Sequence, residues 1–87
     1  MSEYINIGKF VAAFGLTGEL ILKHALGKKI TFKEGEILFI EDKKASYLPY
    51  FIQTSKAKNN EETAIQLEDF DSRETAQTLV KKGVWLP

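Results

Sequence analysis

Phe14-Gly15-Leu16-Thr17-Gly18-Glu19 separates two runs of strand composition. Before it, Tyr4-Ile5-Asn6-Ile7-Gly8-Lys9-Phe10-Val11-Ala12-Ala13 is aliphatic and aromatic; after it, Glu19-Leu20-Ile21-Leu22-Lys23 has an apolar centre between charges. Two such runs around a short glycine-bearing break predict a β-hairpin. Glycine reaches positive φ without steric penalty, so Gly15 and Gly18 can turn the chain sharply, and Leu16 between them is expected to fold back over the core. This is first of all a structural turn. A Gly-x-x-Gly element also clamps nucleic-acid backbone in one RNA-binding module, but there it joins helices, whereas strands flank it here.

Outward from the hairpin the chain continues to read as β. Ala25-Leu26-Gly27-Lys28-Lys29 is an exposed loop, and Ile30-Thr31-Phe32 is a short extended piece or a 3₁₀ turn. Lys33-Glu34-Gly35-Glu36 turns into Ile37-Leu38-Phe39-Ile40, whose four consecutive apolar residues predict a strand covered on both faces. After a polar connection over 41–46, residues 47–55 have strand composition, and Pro49 demotes their beginning to an edge or bulge because proline lacks an amide hydrogen. Residues 56–62 form a hairpin tip. The next strand alternates, with Thr63, Ile65 and Leu67 on one face and Ala64 and Gln66 on the other.

Then the period changes. Asp71 stands three residues before Glu74 at capping-box spacing, and Ala76, Leu79 and Val80 follow at helical intervals. Lys81 and Lys82 sit where a helix C-terminus favours cations, and Gly83 offers a left-handed stop. Val84-Trp85-Leu86-Pro87 is the final strand. Strands this short lose their exposed edges only if the sheet closes. The expected fold is therefore mainly β: a small six-stranded antiparallel β-barrel with one short helix near the C-terminus plugging an open end. No linker or repeat divides the 87 residues, so they form one domain, 1–87.

Twelve basic and twelve acidic residues cancel, so no global positive field draws the chain to nucleic acid. Charge does segregate locally. Lys9, Lys23, Lys28, Lys29 and Lys33 face only Glu19 in the N-terminal part, whereas Glu61, Glu62, Glu68, Asp69, Asp71 and Glu74 face only Arg73 later. Such runs are ordinarily solvated faces, but the lysine-rich edge is the place to look for an anionic partner. Cysteine is absent, which excludes a disulfide framework, a thiolate nucleophile and a thiolate zinc site, and fits a reducing interior. Met1-Ser2-Glu3-Tyr4 does not begin a signal peptide, and no apolar run approaches the ~18 residues of a membrane span. A cytoplasmic protein with no membrane partner is expected.

The search for reactive chemistry returns little. His24 is the single histidine and is read as a strand-end surface or hydrogen-bonded residue. The pairs Glu61-Glu62 and Glu68-Asp69 lack the oxygen spacing of a calcium loop, and Gly8-Lys9 and Gly27-Lys28 lack the glycine that a phosphate-cradling loop requires. No cofactor, metal or catalytic residue is predicted. Tyr47, Tyr50 and Phe51 could stack on bases, although alternation along a strand points one face into the core. Trp85 is either a core residue or an anchor against a following domain.

The two ends of the chain resemble one family. Ile7-Gly8-Lys9-Phe10-Val11-Ala12-Ala13-Phe14-Gly15-Leu16-Thr17-Gly18-Glu19-Leu20 is similar to the opening of the N-terminal domain of RimM, the bacterial ribosome maturation factor. There a strand of the form Ile/Val-Gly-Lys-Ile/Val runs into Gly-Leu/Ile-Arg-Gly-Glu. Leu67-Glu68-Asp69-Phe70-Asp71-Ser72-Arg73-Glu74-Thr75-Ala76, followed by Leu79, Gly83, Val84 and Pro87, resembles the family's closing pattern. The resemblance implies the barrel shared by translation factors and flavin reductases. It also implies a non-enzymatic factor that assists assembly of the small-subunit head and processing of small-subunit ribosomal RNA. The implied partners are the immature small ribosomal subunit, ribosomal protein S-nineteen, ribosomal RNA and the PRC-barrel that follows this domain in the family.

The candidate partner surface is Phe14, Gly15, Leu16, Thr17, Gly18 and Glu19 with Lys9, Lys23, Lys28 and Lys29. Trp85 is the candidate inter-domain residue. Thr17 stands where the family pattern has Arg or Lys, which removes a charge-assisted contact from the loop. The alternative reading is an accessory barrel of a flavin- or nucleotide-using enzyme.

Overall fold

The computed structural model describes residues 4–87; residues 1–3, read above as starting no signal peptide, lie outside them. The elements in chain order are β1 (Ile5–Phe14), β2 (Glu19–His24), β3 (Ile37–Lys43), β4 (Ser46–Ala57), β5 (Glu62–Leu67), α1 (Arg73–Gln77) and β6 (Gly83–Leu86). The strands close into an antiparallel barrel in the order β1-β2-β5-β4-β3-β6. The mainly β, six-stranded barrel with one short C-terminal helix is thus the observed architecture.

Two long strands turn the corners. β1 pairs with β2 and with β6, and its register shifts between Phe10 and Ala12 on one side and between Asn6 and Gly8 on the other. Bulges of this kind bend a strand and raise its twist, which closure requires. β4 pairs with β3 through residues 46–51 and with β5 through residues 52–57. Pro49 pairs with Phe39 in the first stretch, where β4 has a neighbour on one side only, so its missing amide hydrogen leaves no gap in a second ladder.

Alternate residues point inward and are sealed from water. Phe10, Leu22, Leu38, Ile52, Ile65 and Val84 are among the fully buried side chains. Each contributes about 1.5–3 kcal/mol of transfer free energy. At one end of the barrel α1 lies against β1 and β2, with Ala76 and Leu79 joining the core. At the other end residues 25–36 cross the opening, and Phe32 packs against the core. Ser55 Oγ accepts from Phe32 N at 2.6 Å and donates to Phe32 O at 2.8 Å, while Thr63 Oγ1 donates to Ile30 O at 2.8 Å. These bonds hold the crossing segment, including Ile30-Thr31-Phe32, without regular structure.

Several local expectations are corrected. The helix N-cap is Ser72, not Asp71: Ser72 is extended (φ −138°, ψ 152°) and its side chain accepts from Thr75 N at 3.2 Å. Gly83 is not the left-handed stop. It opens β6, and Lys81 takes that conformation at φ 78°, after the helix has already ended at Gln77. Lys81 and Lys82 therefore do not cap the helix; Lys82 Nζ pairs with Asp42 at 2.9 Å. Nor is 37–40 covered on both faces. Leu38 and Ile40 point inward, while Ile37 and Phe39 are half-buried on the outer wall, because a closed barrel has one interior.

Candidate functional site

The β1–β2 turn is stiff at its base and bare at its tip. Gly15 (φ 77°) and Gly18 (φ 75°) both use the left-handed region, and Gly18 N donates to Gly15 O at 3.3 Å. Gly18 is wedged against the helix start: a Cβ there would lie 2.2 Å from Ser72 O and 3.0 Å from Ala76 Cβ. Gln66 Nε2 donates to Thr17 O at 2.8 Å and also to Phe70 O. Leu16 does not fold back. Ala76 and Leu79 already fill that end of the core, and Leu16 is 95% exposed. Beside it Phe14 is 38% exposed, with the Lys58 ammonium 5.3 Å from its ring centroid. An apolar knob on a fixed base is suited to enter a partner's pocket with little ordering cost.

The four candidate lysines divide. Lys9 and Lys23 are direct cross-strand partners on β1 and β2. They line an open groove of about 590 Å³ whose other walls include Asn6, Gly8, Gly83 and Lys81. Lys81 escaped the sequence reading because its place after a helical pattern marked it as a helix-end cation. Gly8 is required where it stands: its φ is 157°, and a Cβ would meet Lys23 O at 1.9 Å. Lys28 and Lys29 lie elsewhere, in the segment after His24. That segment leaves the end of β2 opposite the 14–19 turn, roughly 20 Å away at ~3.3 Å per residue. Lys29 instead borders a shallow depression with Asn59, Asn60 and Glu61.

His24 is structural. It is 3% exposed, Leu26 N donates to its Nδ1 at 3.4 Å, and its Nε2 lies 3.5 Å from Thr63 Oγ1. Both ring nitrogens are thus occupied in tying β2 to β5 and to the crossing segment.

Trp85 is not a core residue but lies on the outer wall of β6, opposite Phe39 and Asn6. Its ring meets Tyr47 edge-on at 5.2 Å; Tyr47 meets Tyr4 at 5.2 Å, and Tyr4 meets Phe39 at 4.5 Å. The indole Nε1 is buried without a hydrogen-bond partner. Tyr47, Tyr50 and Phe51 do not form one platform: Tyr50 turns inward against Phe70 at 5.3 Å, while Tyr47 and Phe51 face out.

Comparison with known proteins gives one consistent answer. The family model described as RimM N-terminal domain matches residues 5–87. The chain is 28% identical over 85 residues to the ribosome maturation factor RimM of Christiangramia forsetii, covering 98% of this chain and 48% of that protein. It is 26% identical over 85 residues to the ribosome maturation factor RimM of Flavobacterium johnsoniae, with the same coverage of 98% and 48%. The chain therefore spans about half the length of the curated relatives it matches. No solved structure gives a significant match.

Proposed function

The chain belongs to the RimM N-terminal domain family, and from that premise we propose that it is the binding module of a ribosome maturation factor acting in the cytoplasm. It assists assembly of the small-subunit head and processing of small-subunit ribosomal RNA by non-covalent contact rather than by catalysis. Its partners in this reading are the immature small subunit and ribosomal protein S-nineteen. In this reading 1–87 is the N-terminal barrel of a longer protein, and the Trp85 wall faces the PRC-barrel that follows.

One observation supports this reading beyond family membership: the nearly bare Leu16, held out by a turn whose base is locked to α1 and β5. Water-exposed leucine on a fixed turn contributes nothing to this fold, whereas truncating a central apolar anchor in an interface commonly costs more than 1 kcal/mol. Leu16→Asp should therefore lower co-sedimentation with immature small-subunit particles by roughly tenfold while leaving the melting temperature unchanged. Undiminished co-sedimentation of the variant would remove the tip from the interface.

A further inference from the structure

We propose that the groove between β1, β2 and the turn preceding β6 binds the phosphodiester backbone of RNA through Lys9, Lys23 and Lys81. The proposal rests on the reading of the chain as a small-subunit assembly module and assigns a ligand chemistry to one part of its surface.

Three lysines line this groove and no acid is among its lining residues, the nearest carboxylate on its β6 side being Glu41, whose Oε1 lies 3.6 Å from where a Cβ on Gly83 would stand. Lys9 and Lys23 stand directly opposite, where Cβ atoms are about 4.5–5.5 Å apart and like charges are destabilising. Lys23 has Glu62 as its neighbour on the other side, but that carboxylate accepts from Asn59 Nδ2 at 3.1 Å and makes no ion pair with Lys23. Among the described residues the ion pair present is Lys82–Asp42, so none of Lys9, Lys23 and Lys81 has a carboxylate within ion-pair distance.

Lys81 adds a second cost. Its φ of 78° is one that glycine or asparagine takes with less strain, yet a lysine occupies it, held by Lys81 N donating to Phe10 O at 2.7 Å. The fold thus tolerates charge opposition and backbone strain at one place. An anion in the groove would offset the charge opposition.

The lining distinguishes between anions. Gly8, Ala25 and Gly83 leave the floor low, so an extended chain can approach the backbone. Arginine, whose planar fork matches carboxylates, is absent from the lining, as are Phe, Tyr and Trp, and the one ring there, His24, is buried and offers no face for a base to stack on. Lysines act as point charges toward phosphates. The expected contact is with the backbone, without sequence preference and sensitive to salt.

Fluorescence anisotropy with a short labelled RNA, single-stranded and duplex, tests this on the 87-residue chain. Three neutralised phosphates give a slope of log affinity against log salt of roughly −2 to −3, which is about a 20–40-fold loss between 50 and 200 mM salt. In Lys9→Gln/Lys23→Gln that loss should shrink to about threefold, and Lys81→Asn alone should reduce the slope by roughly 0.7–0.9. The control is Lys28→Gln/Lys29→Gln, which makes the same change in net charge outside the groove lining and should leave the slope unchanged.

Equal responses of the two double variants, or an unmoved slope in Lys9→Gln/Lys23→Gln, would overturn the site. Binding of oligoglutamate with the same lysine dependence, and no binding of RNA, would reassign the groove to an acidic protein and overturn the phosphodiester assignment. Melting curves check folding, and the groove variants should melt no lower than the unaltered chain because a like-charge pair has been relieved. Sedimentation with small-subunit particles separates the two readings. If the unaltered chain binds particles but not RNA, the groove assignment alone fails; if it binds RNA but not particles, the assembly reading fails.

Discussion

Gly15 and Gly18 bracket the same turn with nearly the same φ, yet their surroundings differ. No atom lies within 4 Å of a Cβ added at Gly15, so Gly15→Ala should cost only the left-handed backbone penalty, about 1 kcal/mol. At Gly18 the added methyl would drive into Ser72 O, so Gly18→Ala should cost at least ~2 kcal/mol and lower Tm by roughly 10 °C. Thermal melts of the two variants check this; equal losses would mean that the turn is not seated on the helix. Glycine as a turn residue was legible in the sequence, but which glycine bears the packing was not, because Ser72 is distant in the chain. Leu16 shows the converse failure. Its apolar side chain promised burial, and only the occupation of the barrel end by Ala76 and Leu79 determines that it stays outside.

At the scale of elements, strand composition, apolar runs and glycine-bearing breaks located every strand, since all are local. Ladder partners were not local, so the bulges in β1 and the one-sided pairing around Pro49 emerged only with the closed sheet. Helix capping was misplaced by one residue. Asp71 and Ser72 are both good cap residues, and the choice falls to Ser72, whose carbonyl accepts from Ala76 N at 3.1 Å and packs against Gly18. Ser72→Ala should therefore destabilise the domain by about 1 kcal/mol, or roughly 4–8 °C, while Asp71→Ala should change it by less than half as much. The reverse order in a melting experiment would restore Asp71 as the cap. The candidate surface divided for the same non-local reason. Five lysines close in sequence suggested one patch, but Lys28 and Lys29 fall outside the groove that Lys9 and Lys23 line, while Lys81 joins that groove from the other end of the chain.

At the scale of the whole molecule, the last strand is the one that completes the ring. β6 lies between β1 and β3, pairing Leu86 with Ile5 and Val84 with Ile40. Removing residues 83–87 would leave two unpaired edges, and the shortened chain should lose its cooperative thermal transition and self-associate; a sharp melt with a monomeric sedimentation profile would contradict this. The same placement has a consequence in time. A chain emerging from its own ribosome N-terminus first can form the β1–β2 hairpin early, but the barrel stays open until residue 86 has cleared the exit tunnel. Until then the aliphatic interior faces water with nothing to seal it, so folding of this domain is a step that follows, rather than accompanies, its synthesis.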